Sequence, residues 1–266
     1  MDRQDETIMR MYFRLAECRY QRTRLQRIWA PETLNSKEPP RPYAYSTIIK
    51  YDELRLLGMG PEALRHWTTL EGEAKATLEM LAALHPLAEH FKQLKGFGMY
   101  TCGTFVAASG DIERAPTVSA FWKGMGLDLV DGVPPRRIRG KKDVERRIPC
   151  MPHVSEIGEQ FRHRILFSSG KVRWWYDEFR KREERHVDKA KIFKMKSALR
   201  LTQKLLYSCL WREWRLAHGL LAPEPYAFAI LQHDGQLVRV EDFYGPYPGG
   251  SAKVESGEDS LASEQE

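Results

Sequence analysis

Apolar side chains recur at helical spacing along most of the chain. Residues 5–29 carry such a pattern, which predicts one helix with Asp5 as its N-cap and Pro31 beyond its end. Its apolar stripe consists of Ile8, Met11, Tyr12, Leu15, Cys18, Leu25 and Ile28. Helical spacing resumes near Tyr51 and breaks at Pro86. The pattern therefore predicts an all-α protein.

The last third of the chain predicts the longest helix, at residues 188–218. We expect Asp188 to cap this helix and Gly219 to end it. Its apolar stripe consists of Ile192, Met195, Leu199, Leu206, Leu210, Trp214 and Ala217. Just upstream, Trp174, Trp175 and Tyr176 stand among basic residues. Such aromatic side chains either stack on unpaired bases or belong to the core, and we favour the core.

Proline-rich stretches and shifts in charge divide the chain into five parts. We expect a basic amphipathic helix at 1–30, a Pro-rich linker at 31–50, a helical region at 51–130, a basic loop and C-terminal helical region at 131–240, and a disordered tail at 241–266. The expected fold is a multi-helix domain that contains a helix-hairpin-helix motif at about 85–127 and a long C-terminal helix, followed by a disordered acidic tail.

Residues 94–105, LKGFGMYTCGTF, interrupt the helical pattern with Gly-Phe-Gly. Glycine reaches positive φ without a Cβ clash, so this triplet can end one helix and begin another. The first N–H groups of a helix lack intrahelical acceptors, and the helix dipole favours an anion beside them. A simple tight turn is the alternative. The residues predicted to contact a phosphate are Gly96, Phe97, Gly98, Met99 and Tyr100.

The helix predicted after this turn carries packing signals of its own. Gly103 permits close contact with another helix, and Phe105 and Val106 can pack inward. A loop that ends at Pro116 then separates this helix from a short one at 117–127.

Positive charge is concentrated in the body of the chain. The whole chain carries +6, whereas residues 251–266 hold five acids and one Lys, a net of −4, so residues 1–250 carry about +10. A basic body favours polyanions, and nucleic acid is the expected partner. A basic protein without such a partner is the alternative.

Three basic clusters stand out in the sequence. The densest contains Arg136, Arg137, Arg139, Lys141, Lys142, Arg146 and Arg147. The first helix carries Arg10, Arg14, Arg22, Arg24 and Arg27, and the long helix begins with Lys189, Lys191, Lys194, Lys196, Arg200 and Lys204. Arginine matches phosphate with two parallel hydrogen bonds. We therefore predict that the densest cluster, together with Lys191 and Lys194, binds DNA phosphates; a solvated surface is the alternative.

Metal and cofactor chemistry have little support in the sequence. The four cysteines form no close pairs, which disfavours disulfides and Cys-rich zinc sites and fits a reducing, cytoplasmic location. Cys150 and His153 lack a second ligand pair. We expect no metal, no cofactor and no membrane partner. The histidines at 85, 163, 218 and 233 are expected to stand alone, in packing or surface roles.

Residues 94–127 resemble the helix-hairpin-helix segment of IS110-type (IS116/IS110/IS902) transposases. The matching positions are Gly96, Phe97, Gly98, Gly110, Asp111, Ile112, Pro116, Gly126 and Leu127. Residues 196–233 are also similar to helix-hairpin-helix proteins of mobile elements related to those transposases. The resemblance implies a transposase-like protein of a mobile element. The sequence contains no identifiable base-reading element, so we expect DNA binding without sequence preference.

The transposases of this family also carry a nuclease-like α/β domain with four acidic residues and a nucleophilic Ser in a Ser-Gly-basic run. Only about 95 residues precede the hairpin here, and PPRRIRGKKDVERR contains no Ser. Ser168 and Ser169 lie further on, in a predicted turn. We therefore expect no nuclease domain and no catalytic residue in this chain.

Two other functions stay open. One is an active IS110-like DNA recombinase whose acidic residues come from a partner recombinase or an unrecognised site. The other is an RNA-binding scaffold that uses its Arg-rich first helix. The expected partner is duplex DNA, with RNA as the second candidate, and homo-oligomers are left open.

Overall fold

The computed structural model describes residues 3–29, 60–128, 152–188, 190–224 and 237–248. Within these ranges the secondary structure is helical and includes no strand, apart from one isolated bridge between Gly170 and Pro246. The prediction of an all-α protein is confirmed for this part of the chain. The linker at 31–50 and the basic cluster at 136–147 lie outside the described residues.

Eight α-helices follow one another in these ranges. They are α1 Arg3–Trp29, α2 Gly60–Ala83, α3 Ala88–Gln93, α4 Met99–Ser109, α5 Val118–Gly124, α6 Pro152–Phe167, α7 Lys171–Glu184 and α8 Lys191–Ala217. Two short 3-10 helices span Ile112–Arg114 and Val240–Phe243. The predicted break at Pro86 and the predicted stop at Gly219, where φ is +68°, are both confirmed.

Aromatic rings from four helices meet at the centre of the core. The ring of Phe105 in α4 lies 5.8 Å from Phe91 in α3, 6.1 Å from Phe161 in α6 and 5.0 Å from Tyr207 in α8, measured between centroids. Phe105 and Val106 are buried, as the sequence predicted. Large aromatic side chains dominate core energetics, so this cluster ties α4 to α3, α6 and α8.

The first helix packs along α2 and α4 through the predicted apolar stripe. Its buried members among the described side chains are Ile8, Tyr12, Leu15 and Cys18. The predicted cap is wrong: α1 begins at Arg3, and Asp5 lies buried in its first turn. The Nε2–H of His85 donates a hydrogen bond of 3.1 Å to Asp5 Oδ1. A residue that the sequence pattern assigned to the N-cap therefore fastens α1 to the loop after α2.

Some of the arginines of α1 form ion pairs with another helix of the fold. Arg19 Nε donates a hydrogen bond of 3.0 Å to Glu71 Oε1 on α2, and Arg22 bonds the other oxygen of the same carboxylate. Burial raises the pKa of Glu71, but the hydrogen bonds from Arg22 and Arg19 outweigh it and keep that pKa below its usual value. These two arginines therefore join α1 to α2.

Three predicted details of the C-terminal region differ from the structure: the N-cap of α8, the ends of its buried stripe, and the start of the tail. The N-cap of α8 is Ala190, without a side-chain cap bond, so Asp188 does not cap it. Ile192 and Ala217 are exposed, whereas the middle of the predicted stripe is buried. Phe243 is buried against Trp175, with ring centroids 5.7 Å apart, so the predicted start of the tail at residue 241 is wrong; residues 249–266 lie outside the described residues.

Replacing Gly103 with Val should lower the free energy of unfolding by about 1–3 kcal/mol, because the added side chain would overpack the contact between α2 and α4. A Cβ at Gly103 would lie 2.9 Å from Leu78 Cγ and 3.3 Å from Ala82 Cβ, so α2 must shift. Urea unfolding measures the loss. Gly72→Val is the matched control, because nothing lies within 4 Å of that exposed glycine. Equal stability of the two variants would contradict the close contact of α2 and α4.

Candidate nucleic-acid interface

The Gly-Phe-Gly segment forms a turn between α3 and α4, which we call the corner (residues 94–100). Gly96 and Gly98 are exposed, Phe97 is buried, and Met99 and Tyr100 are half-buried. Gly98 is the N-cap of α4, and its carbonyl accepts hydrogen bonds from the N–H groups of Thr101 and Cys102 at 2.9 and 3.1 Å. Among the described residues, no acceptor contacts the N–H groups of Gly98, Met99 or Tyr100.

The two glycines of the corner serve different purposes. Gly96 has φ +89°, and a Cβ there would lie 3.2 Å from the Cα of Ser168, so the fold itself requires glycine. Gly98 has φ −122°, which any residue adopts, and nothing lies within 4 Å of the position of its Cβ. Folding therefore does not require glycine at position 98.

The corner is held in place by residues far along the chain. The Phe97 ring lies 4.9 Å from Phe161 in α6 and 6.5 Å from Phe91, so its side chain fixes the turn and does not face a ligand. The buried ring leaves the main chain of Phe97 as the part of this residue that the predicted DNA contact can use. The Tyr100 hydroxyl accepts hydrogen bonds of 3.3 Å from both terminal nitrogens of Arg19.

A second turn, between α6 and α7, packs against the corner. Ser168 is buried, and its hydroxyl donates a hydrogen bond of 2.8 Å to the Ile165 carbonyl. A Cβ at Gly170 would lie 2.6 Å from the Gly245 carbonyl oxygen and 3.2 Å from Lys95 Cδ. The prediction of a turn at Ser168 and Ser169 is confirmed, and the Ser168 hydroxyl is engaged in it.

Two lysines lie at the corner, one within it and one beside it. Lys95 is exposed and lies against Gly170, and the next residue, Lys171, begins α7. Neither lysine forms an ion pair with a residue that the structure describes. The neighbouring Lys92 differs, because it pairs with Glu89 at 2.6 Å. The corner therefore presents unsatisfied N–H donors beside uncompensated positive charge.

The predicted basic start of α8 is largely engaged within the fold. Lys194 pairs with Glu184 at 3.0 Å, Arg200 donates to the Asp128 carbonyl, and Lys204 lies 4.0 Å from the centroid of the Trp122 ring. Burial lowers the pKa of both Arg200 and Lys204. Lys191 is exposed, as a phosphate contact requires, whereas Lys194 is not free for one.

A buried polar cluster connects the first and last helices. Ligand atoms of Asp5, His85 and His218 all lie within 4.8 Å of one another, so the expectation that these two histidines stand alone was wrong. Leu87 N–H donates to His85 Nδ1 at 3.1 Å, which leaves the ring proton on Nε2. The Trp214 indole N–H donates to His218 Nε2 at 3.1 Å.

This cluster does not fit a metal ion. A histidine that binds a metal through one nitrogen normally donates a hydrogen bond from the other. Nδ1 of His85 instead accepts a backbone hydrogen bond, and its Nε2–H is directed at Asp5. The donor set therefore forms a hydrogen-bonded core cluster.

Beside the corner lies an open pocket of about 450 Å³ between α1, α4 and α6, which we call the corner pocket. Its walls include Tyr100, Thr101, Gln160, His163, Arg164 and Phe167. Sequence reasoning missed this pocket, although the last four of these residues recur at the spacing of one helix face. His163 is exposed, in agreement with its predicted surface role, and His233 lies outside the described residues.

Among the residues described, no helix has the length and apolar character needed to cross a membrane. Comparison with models of protein families, with curated proteins and with solved structures gives no match to this chain. The geometry of the corner and of the pocket beside it therefore carries the functional argument.

Proposed function

We propose that the chain binds the sugar-phosphate backbone of DNA, without reading its sequence, through the corner. In this proposal α3, the corner and α4 act as a helix-hairpin-helix in a transposase-like protein of a mobile element that lacks its own nuclease domain. Backbone N–H groups at a helix start bind phosphate through hydrogen bonds and the helix dipole, and they select no base.

The observation that carries this proposal is the glycine at position 98. Its backbone conformation suits any residue, and its surroundings leave room for a side chain. Glycine at an N-cap is acceptable but not the most favourable choice, since Ser, Asp and Asn cap better. The absence of a side chain there matters for a ligand, because a phosphate can then approach the N–H groups of Met99 and Tyr100 closely.

The positive charges around the corner also support DNA as the partner. Lys95 and Lys171 stand beside it, and Lys191 is exposed on α8. In the proposal, the cluster at 136–147 extends this basic footprint. Each neutralised phosphate releases a counterion, so the logarithm of duplex affinity should fall linearly with the logarithm of salt concentration.

Replacing Gly98 with Val should weaken binding to a short duplex about tenfold, because the side chain blocks the approach of a phosphate to charge-assisted N–H donors. Fluorescence anisotropy with a labelled duplex of random sequence measures affinity at two salt concentrations. Gly98→Ser is a second variant. It keeps a favourable N-cap, but its hydroxyl fills the space and accepts a hydrogen bond from one of the free backbone N–H groups. Gly72→Val is the control, because Gly72 is equally open but lies on α2.

We expect Gly98→Ser to unfold in urea close to the wild type and Gly98→Val to lose about 1 kcal/mol of stability as a poorer N-cap. Both should lose affinity, and the Gly72 variant should bind normally. Duplex affinity that is unchanged in both Gly98 variants would overturn the assignment of binding to the corner. Wild-type affinity that does not depend on salt would overturn the backbone contact itself.

A further inference from the structure

The geometry points to a nucleobase site: the corner pocket takes one unstacked base of the nucleic acid whose backbone binds at the corner. This inference rests on the proposed function and adds the part of the ligand that the pocket holds. Tyr100 and Thr101 belong to the first turn of α4 and also line the pocket. A nucleotide whose phosphate contacts that turn therefore has its base next to the pocket.

The shape and floor of the pocket suit a flat apolar group with polar edges. Its volume of about 450 Å³ lies within the usual range for small-ligand sites, about 300–1,000 Å³. Ile157 and Phe161, both buried side chains of α6, form part of the wall. A base that leaves a stack needs such an apolar surface to replace its lost neighbours.

An aromatic side chain stands at the rim of the pocket. Phe167, the last residue of α6, is 75% exposed, which is unusual for Phe and leaves its ring face in solvent. Aromatic faces stack on bases of any sequence. The exposed ring therefore finds a partner if a base enters the pocket beside it.

Two polar side chains that line the pocket have hydrogen-bonding groups left unused. Thr101 is only 7% exposed, and its hydroxyl has no hydrogen-bond partner among the described residues, whereas the Thr104 hydroxyl donates to the Thr101 carbonyl at 3.1 Å. The Gln160 amide nitrogen donates weakly to Glu156 at 3.3 Å, which leaves its carbonyl oxygen as an acceptor. A hydroxyl and an amide together can bond the donor and acceptor edge of a base.

Polar residues of α6 lie at the mouth of the pocket, and one of them, Arg164, is a cation. His163 and Arg164 are exposed on α6, one helical turn from Gln160 and Phe167. Arg19 lies on the opposite wall and is already bonded to Glu71 and Tyr100. This placement puts positive charge where the phosphates flanking a bound base would pass.

The experiment compares two labelled probes that carry the same phosphates. One is a duplex with a three-nucleotide adenine extension, and the other is the same duplex with three abasic residues in the extension. We expect the wild-type chain to bind the adenine probe about fivefold or more tightly, because base stacking on aromatic side chains contributes strongly to single-strand binding. Fluorescence anisotropy at fixed salt measures both affinities.

Three variants assign the preference to the pocket. Phe167→Ala removes the exposed ring, and Thr101→Val removes the hydroxyl with little change in shape. Both should bring the ratio of the two affinities close to one without changing the affinity for the abasic probe. Phe193→Ala is the control, because Phe193 is also exposed, at 53%, but lies on α8 and does not line the pocket.

Three outcomes would overturn the base site. Equal wild-type affinity for both probes overturns the base site and leaves backbone binding intact. Binding of neither probe overturns both proposals. A base preference that persists in both Phe167→Ala and Thr101→Val shows that the base is held elsewhere and also overturns the inference.

Discussion

Replacing Phe105 with Ala should lower the free energy of unfolding by about 3–5 kcal/mol, the largest effect that we expect from one substitution. Phe105 is fully buried, and its ring contacts aromatic side chains from α3, α5, α6 and α8. Truncation leaves a cavity among rings that are anchored by different helices, so the surroundings can collapse only in part. Urea unfolding followed by tryptophan fluorescence measures the loss.

The matched control for this prediction is Phe193→Ala. Phe193 is more than half exposed, so its removal should change stability by no more than about 0.5 kcal/mol. Similar losses for the two variants would show that the aromatic cluster is not the centre of the core.

The second large effect concerns the buried pair of Asp5 and His85. His85→Ala should cost about 2–3 kcal/mol, because the variant leaves a buried carboxyl group without its hydrogen-bond partner. Asp5 Oδ2 has no partner in the native structure, so the bond from His85 to Oδ1 is its main compensation within the described residues. The substitution should also loosen α1, which native-state hydrogen exchange of α1 amides detects.

A double-mutant cycle separates this pair from simple loss of packing. In Asp5→Ala combined with His85→Ala, both polar partners are gone, so the loss of stability should be smaller than the sum of the two single losses. Additive losses would contradict the coupling that the 3.1 Å hydrogen bond implies.

The helices of this protein are largely predictable because burial enforces a 3.6-residue period on them. Leu15 and Leu206, for instance, were assigned to buried faces from spacing alone and are buried. Helix starts were harder. Asp5 and Asp188 both looked like caps, yet tertiary contacts place Asp5 inside the core, and α8 begins without a side-chain cap. Local patterns do not contain the contacts that decide these positions.

The candidate site was predictable in its backbone and not in its side chains. The Gly-Phe-Gly triplet identified the turn and the start of α4. Whether each glycine serves the fold or a ligand depends on Ser168, which approaches Gly96 from about 70 positions along the chain. The corner pocket escaped prediction for the same reason, since its walls come from three helices.

Charge was the least reliable guide to the interface. Basic residues on α1 and α8 formed clusters in the sequence, yet Arg22 bonds Glu71, Lys194 bonds Glu184, and Lys204 stacks on Trp122. Acidic and aromatic partners that lie 10 to 82 positions away in the sequence neutralise or cover these groups. An arginine or lysine count therefore overstates the charge that a partner meets.

The support of the corner by later helices has a consequence for biosynthesis. Phe97 rests on Phe161, and Gly96 rests against Ser168, so the shape of the corner depends on residues that are translated about 65 to 70 codons afterwards. A nascent chain that ends before α6 contains the Gly-Phe-Gly segment without the surfaces that support it. Truncated translation products should therefore lack a corner of this shape, and so should the segment grafted alone into another scaffold.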